Sequence, residues 1–266
     1  MKQRFIPEIA VQGKRLGRHV NHDDRSLMYL IPEGTPTTVR WSREIPVLDQ
    51  GNLGSCTGNA CVGILGTTPD YLDLPAAHPA LDENEAVSLY SAAEIIDGGV
   101  GYPPEDDGSS GLSVAKAALN AGLCTGFTHA TSVAACHTAI QAGPFMLGCD
   151  WYDSFDTPDS NGLVSISSGA SVRGGHEIEC MGYDAATDLW ELVNSWGTSW
   201  GVNGHFFMSS GTLNTLLGTD GDATQLTPLN KPAPTPTPPP NPPKPSWIQE
   251  IEALFSEIIQ KIMQNI

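Results

Sequence analysis

Residues 192–206 read Leu192-Val193-Asn194-Ser195-Trp196-Gly197-Thr198-Ser199-Trp200-Gly201-Val202-Asn203-Gly204-His205-Phe206. A short apolar run closes on an Asn, and a run rich in Gly, Ser and Trp follows. An Asn in that place ordinarily caps a turn. Upstream, Gly174-Gly175-His176-Glu177-Ile178-Glu179-Cys180-Met181-Gly182-Tyr183 sets a His directly before a strand pattern, behind two glycines that let other backbone approach closely. Further upstream, Asp49-Gln50-Gly51-Asn52-Leu53-Gly54-Ser55-Cys56-Thr57-Gly58 puts Cys56 where a Gly-rich turn gives way to an apolar helix pattern. A thiol there faces unpaired N–H groups and the positive end of the helix dipole. Both favour the thiolate, which is the nucleophile. Taken singly, Cys56 reads as a small buried hydrophobe and His176 as a satisfied core side chain. The three in the order Cys, His, Asn are a far more specific signal than any one alone.

The chain around them has 266 residues, 40% of them hydrophobic, enough for a sizeable core in one large domain or two small ones. It carries 13 Lys+Arg against 30 Asp+Glu, a formal net charge of −17. That charge is polarised. Residues 1–43 sum to +4, residues 44–230 to −21 with Lys116 and Arg173 as their only Lys or Arg, and residues 231–266 to zero. An acidic body excludes a general nucleic-acid-coating role, which needs a basic surface. It favours packing of the basic arm on the body, and faster capture of peptides with basic residues at low salt. No apolar run of about 18 residues is present, so no membrane span is expected. The N-terminus lacks the apolar core and cleavage site of a secretory signal. The expected location is cytoplasmic, or the virion if the chain is phage-encoded. Cys56, Cys61, Cys124, Cys136, Cys149 and Cys180 are scattered and form no Cys-x-x-Cys pair, so neither a disulfide scaffold nor a structural zinc is expected. Apart from Cys56 they read as buried thiols, with Cys149 and Cys180 on core strands. No cofactor or metal is expected, and His78, His129, His137 and His205 have no paired ligand spacing.

Residues 1–37 read as an extended basic arm, with Pro32 and Pro36 breaking any helix. Helical periodicity follows over Ser55–Leu65, over Glu83–Ile96 with Ala86, Leu89, Tyr90, Ala93 and Ile96 on one face, and over Ser113–Ala121. Short runs at Pro144–Asp150, Glu177–Tyr183, Leu189–Asn194 and His205–Met208 read as strands. Helices first and antiparallel strands later predict an α+β layout over residues 38–230. Residues 231–245 are proline-rich and read as a semi-rigid spacer without packed structure. Residues 246–266 read as a separate amphipathic helix with a Ser246/Gln249 capping box and an apolar stripe of Ile248, Ile251, Phe255, Ile258 and Ile262. A homo-oligomer through that stripe is the expectation. Docking back onto the body comes second, and membrane-surface binding third because the polar face is acidic.

The run Asn-Ser-Trp-Gly-x-x-Trp-Gly-x-x-Gly, from Asn194 to Gly204, resembles that of the papain-like cysteine peptidases at every defined position. So does Gln50 six residues before Cys56, and His176 before a strand that ends in Gly-Tyr. The resemblance covers about residues 38–225. The His lies 120 and the Asn 138 residues after the Cys, which suits a compact bacterial or bacteriophage-type member. It implies a helical subdomain carrying Cys56, an antiparallel, barrel-like subdomain carrying His176 and Asn194, and a cleft between them. It further implies that Cys56 attacks a peptide carbonyl to give an acyl-enzyme, that His176 is its ion-pair partner and carries the proton, and that Asn194 orients the imidazole. Trp196 would cover the Asn–His bond from water. Gln50 and the Cys56 main-chain N–H would hold the oxyanion. Gly108, Ser109 and Ser110 resemble the family's strip that binds substrate backbone, and Ser109 or Ser110 also suits a helix cap.

Three departures accompany the likeness. Leu53 stands where many members have a disulfide cysteine, in keeping with a reducing compartment. Thr57 replaces the usual aromatic after the nucleophile. The 37-residue arm is shorter than the family's long inhibitory propeptide, so the enzyme is expected to be made active or to be restrained by a partner. Two rival functions share these residues: an assembly protein, for example of a phage particle, that keeps the fold and uses its tail, and a thiol acyltransferase or amidase using the same triad.

Overall fold

The structure, a computed structural model, describes residues 2–23 and 26–234. The expected amphipathic helix with its Ile248-to-Ile262 stripe, and the proline-rich segment from residue 235 onward, lie outside the described residues.

Among the described residues, six α-helices and nine strands follow in chain order. β1 (Lys2–Arg4) and β2 (Val20–His22) precede β3 (Val39–Arg40). Then come α1 (Cys56–Leu65), α2 (Asp70–Asp73), α3 (Glu83–Ile96), α4 (Gly111–Asn120), β4 (Gly126–Ala130) and α5 (Val133–Ala142). β5 (Phe145–Tyr152), β6 (Val172–Asp184), β7 (Leu189–Val193), β8 (His205–Ser209), α6 (Ser210–Gly218) and β9 (Asp222–Thr227) complete the fold. The sheet is antiparallel, in the order β4-β9-β5-β6-β7-β8, with β3 also paired to β6. This is the α+β layout that the order of helical and strand patterns predicts.

Every residue of α1 is buried. The sequence marked only Ala60, Cys61, Ile64 and Leu65 as its apolar face. Small residues such as Gly58 and Gly63 let the rest of the helix be covered as well. A side chain at Gly58 would run into the Ala86 carbonyl of α3, and one at Gly63 into Glu179 of β6. α1 therefore lies between the helical core and the sheet. The helical core is built from Val62, Ile64, Leu65, Leu89, Ala93, Val114 and Ala118. A second core on the sheet gathers Trp151, Phe155, Trp190, Trp196, Trp200 and Phe206, and includes Leu16 of the arm.

Several elements differ from the sequence reading. α4 begins at Gly111 because Ser110 is its N-cap, accepting from the Ser113 N–H. Ile96, expected on the buried face of α3, is 36% exposed because the helix ends there. β6 starts at Val172, five residues before the expected strand, so His176 sits inside a strand rather than ahead of one. Gly174 and Gly175 lie within β6 and allow the close backbone approach their sequence suggests: a Cβ on Gly175 would strike the Arg18 carbonyl. α5, α6, β4 and β9 carry no clear periodicity. They are fixed by side-chain caps at Ser132 and Ser209 and by pairing of β9 between β4 and β5. Residues 231–234 are not a free spacer: Thr125 Oγ1 donates to the Lys231 carbonyl at 2.9 Å, and a side chain on Gly126 would strike Pro234. No described helix is long and apolar enough to cross a membrane.

Candidate active site

Cys56 is the first residue of α1, His176 lies mid-strand in β6, and Asn194 follows the last residue of β7. Neighbouring strands β6 and β7 bring the His and Asn together: His176 Nε2 and Asn194 Oδ1 are 2.8 Å apart. The Ser195 main-chain N–H also donates to Asn194 Oδ1 at 2.8 Å. That second donor fixes which end of the Asn194 amide faces the ring, so Nε2 carries the imidazole proton. His176 Nδ1 is left bare, buried and without a hydrogen-bond partner. The Cys56 thiol lies against the main-chain N–H groups of Glu177 and Thr57. The thiol is thus beside the residue that follows the histidine.

Trp196 stacks on the His176 ring, with centroids 5.2 Å apart and planes at 27°. Trp151 meets the same ring edge-on at 4.8 Å. Sequence reasoning picked out Trp196 and missed Trp151, whose only signal is an aromatic on a core strand. The Gln50 main chain pairs with the Asn-Ser-Trp segment, donating to the Ser195 carbonyl at 2.9 Å. The Gln50 side chain is clamped at both ends. Ser195 Oγ donates to Oε1 at 2.5 Å and Nε2 donates to the Leu53 carbonyl at 2.8 Å. One Nε2 proton remains for another acceptor.

Gly108, Ser109 and Ser110 sit across from this group. The Asp97 carboxylate accepts from Ser109 Oγ at 2.9 Å, from the Ser110 N–H at 3.2 Å and from Ser113 Oγ at 2.6 Å. The Tyr90 hydroxyl lies 2.7 Å from both Glu94 Oε1 and Asp106 Oδ1, one of which takes its single proton, and it accepts from the Gly108 N–H. These acids and Tyr90 were not legible as site residues, because they lie on α3 and a distant loop.

The arm runs through the space between these walls. Gly17 and Arg18 N–H groups donate to the Gly175 carbonyl at 3.1 and 3.0 Å. On the other side the Ser109 N–H donates to the Gly17 carbonyl at 2.9 Å and the His19 N–H donates to the Ser109 carbonyl at 2.7 Å. The arm and Ser109 strands are parallel. Leu16 and Arg18 are fully buried. Gly17 passes so close to the Gly54 carbonyl that no Cβ fits. Arg173, one of the body's two Lys/Arg residues, donates to the Ile9 and Lys14 carbonyls at 2.9 and 2.6 Å. Arg15 pairs with Glu8 and Asp106, and Arg4 with Asp150. The basic arm therefore packs on the acidic body, as the charge layout suggests, and it does so inside the cleft. The expectation of a cleft left free or restrained by a partner is corrected by this placement.

Burial sets the protonation of the pair. It pushes the Cys56 thiol far above the ordinary thiol range, outweighing the Glu177 and Thr57 N–H groups that pull the other way. It pulls His176 down to about 3, against the Asn194 hydrogen bond. With the arm in place, burial opposes the ion pair that the helix N-terminus and the family likeness suggest. Desolvation in a closed cleft exceeds what the helix end contributes.

The family model for papain family cysteine proteases matches residues 90–221. The chain belongs to the papain family of cysteine proteases. The matched span includes His176 and Asn194, and Gln50 and Cys56 lie ahead of it. A cathepsin B-like protein, CP3 of Giardia intestinalis, is 25% identical over 216 aligned positions that cover 66% of this chain and 72% of that one. The gamete and mating-type specific protein A of Dictyostelium discoideum is 25% identical over 196 positions, 66% of this chain, which spans only 43% of that longer relative. Among solved structures, xylellain, a cysteine protease from Xylella fastidiosa, superposes with a TM-score of 0.62 at 18% identity, over 86% of this chain and 99% of its own. The last likeness speaks for the papain-like fold alone.

Proposed function

We infer that this papain-family chain hydrolyses peptide bonds with Cys56 as nucleophile, His176 as proton carrier and Asn194 as the group that orients the imidazole. The observation that carries the reading is the bare, buried Nδ1 of His176, on a ring held by the 2.8 Å bond from Nε2 to Asn194, while the main-chain N–H of the next residue, Glu177, meets the Cys56 thiol. The thiol proton passes to His176 Nδ1 and the sulfur attacks the peptide carbonyl. Negative charge on the carbonyl oxygen meets the Cys56 N–H and the remaining Gln50 Nε2 proton. His176 returns its proton to the leaving amine, which departs and leaves a thioester. A water then gives its proton to His176, attacks the thioester, and frees the acid and the thiol.

The arm supports a second element of the reading: the chain restrains itself. Residues 16–19 fill the strip that a substrate backbone would use, so activity requires the arm to leave. The test is labelling with an E-64-type epoxide and hydrolysis of a peptide library under reducing conditions, in wild type, Gly17→Leu and Gly17→Leu/Cys56→Ala. Labelling and hydrolysis that vanish in Gly17→Leu/Cys56→Ala are expected. Hydrolysis by Gly17→Leu/Cys56→Ala equal to that of Gly17→Leu, or no labelling of either Cys56-containing protein, overturns the reading. Product analysis with an added amine acceptor separates hydrolysis from acyl transfer.

A further inference from the structure

We propose that Glu83 is a positioning residue that sets the distance between the two oxyanion donors, by tying the main chain beside Gln50 to the helix that begins with Cys56. The inference rests on the peptidase reading for its catalytic consequence. Residues 48–50 run between the two walls of the cleft. Along one edge they are pinned to the Asn-Ser-Trp segment: the Gln50 N–H donates to the Ser195 carbonyl at 2.9 Å and the Gly197 N–H donates to the Leu48 carbonyl at 3.0 Å. Successive N–H groups of an extended chain point to opposite sides. The Asp49 N–H accordingly turns away from the sheet and donates to Glu83 Oε1, in the first turn of α3.

The other oxygen of Glu83 faces α1. Asn59 Nδ2 donates to Glu83 Oε2 at 2.7 Å, and Ser55 Oγ donates to Asn59 Oδ1 at 2.9 Å. Ser55 directly precedes Cys56, and Asn59 lies three residues beyond it. Both are buried. A buried amide on a helix covered on every side needs a partner at each end. The Asn59 amide has both, and Glu83 is the one that comes from another helix. Glu83 itself is held in place because the Asp82 side chain caps α3, accepting from the Asn84 and Glu85 N–H groups.

The two donors to one oxygen belong to different walls. The Cys56 N–H is part of α1. Gln50 is fastened to the sheet side twice, through its main chain and through Oε1, by the carbonyl and the hydroxyl of Ser195. A shift of either wall would change the gap between the donors, and an oxyanion site tolerates only about 0.5 Å of such error. Glu83 closes the gap from the helical side, with one carboxylate oxygen on the Gln50 segment and the other on α1. Hydrogen bonds to a carboxylate are of the stronger kind. Glu83 acts through Asp49 and Asn59 and is itself no part of the proposed triad.

The test uses the full chain carrying Gly17→Leu, the change that should open the cleft. Glu83→Ala should lower kcat by about tenfold and leave KM within about twofold. Glu83→Gln keeps an acceptor for the Asp49 N–H and, with the Asn59 amide reversed, a donor for Asn59, so it should stay within about threefold of the parent. Gln50→Ala/Glu83→Ala should match Gln50→Ala within about twofold, since a donor that is absent cannot be misplaced. Labelling of Cys56 by the E-64-type epoxide, whose ring opening makes no carbonyl oxyanion, should keep its rate within about twofold. Exchange of the Asp49 amide hydrogen, read by NMR, should accelerate by about tenfold in Glu83→Ala. Should Glu83→Ala not fold, Asn59→Leu removes the α1 anchor and takes its place in each measurement. Losses that multiply in the double variant, a Glu83→Gln as slow as Glu83→Ala, labelling that falls with kcat, or unchanged Asp49 exchange each overturn the proposal. Faster exchange with no peptide hydrolysis by the Gly17→Leu parent overturns the peptidase reading and leaves the clamp standing.

Discussion

The Trp196 indole N–H donates to the Arg15 carbonyl at 3.0 Å. The same indole stacks on His176 on one side and receives the Arg173 guanidinium over its ring, 5.5 Å from the centroid. One side chain of the Asn-Ser-Trp-Gly run therefore shields the imidazole and anchors the arm. The closed cleft and the burial of the His176 ring share one piece of packing.

Gly17→Leu should expel the arm, because the Gly54 carbonyl leaves no room for a side chain at position 17. The arm's removal touches no residue of the proposed triad. Alkylation of Cys56 by iodoacetamide at neutral pH should accelerate by about tenfold or more, as rehydration lowers the thiol toward its ordinary range. Mass spectrometry of the labelled peptide gives the rate. An unchanged rate in a folded variant would show that the arm does not control access.

His176 should stay neutral across the accessible pH range while the cleft is closed. Its value of about 3 lies below the unfolded value of about 6.5. The unfolded state then binds more protons between these limits. The contribution of this group to the closed fold is complete above about pH 6.5 and is lost as pH falls toward 3. Glu177, raised by burial, works in the opposite sense: its contribution is present below the ordinary carboxylate range and lost as pH rises. The two are separated by following the His176 ring protons by NMR. They should not move between about pH 5 and 8 in wild type, and should titrate in Gly17→Leu.

Gln50→Ala is expected to lower kcat by about 10²-fold with a smaller change in KM, since an oxyanion donor acts in the transition state. Gln50→Glu keeps the shape and the acceptor for Ser195 Oγ but lacks the N–H. Steady-state kinetics in the Gly17→Leu background should show similar losses for both. A full recovery in Gln50→Glu would reduce Gln50 to a packing role.

A buried ion pair joins the helical core to the sheet. Arg43 pairs with Glu179 of β6, whose other oxygen accepts from Thr67 Oγ1 at 2.5 Å. Arg43→Ala should destabilise the fold by about 3 kcal/mol, because it leaves a carboxylate that is only 2% exposed without its cation. Arg43→Met/Glu179→Leu should cost less than the single change. Urea unfolding of both variants decides it.

Much of the site was legible because its parts are local. Cys56 follows a Gly-rich turn, and the run from Asn194 to Gly204 is continuous, so both could be read without knowing the fold. Asp97, Tyr90 and Arg173 could not be read that way. Each acts through hydrogen bonds to a segment far away in the chain, and nothing in their local sequence distinguishes them from surface or core residues. Glu177 was hidden for another reason. It alternates with apolar residues in a strand pattern, and only the packing of β6 against α1 and the arm buries it completely.

By itself the sequence determined the family, the α+β order, the residues brought to the cleft and the sign of the arm's charge. Those rest on residue type, spacing and periodicity, which do not need distant contacts. Tertiary structure alone decided that the arm lies in the cleft, and that burial raises the Cys56 thiol and lowers His176. It also decided that Arg18 meets Asp222 and Glu177 in a pocket kept open by Gly148. Desolvation and close approach depend on everything around a group, so they exist only once segments 17, 54, 109, 175 and 222 have been folded together.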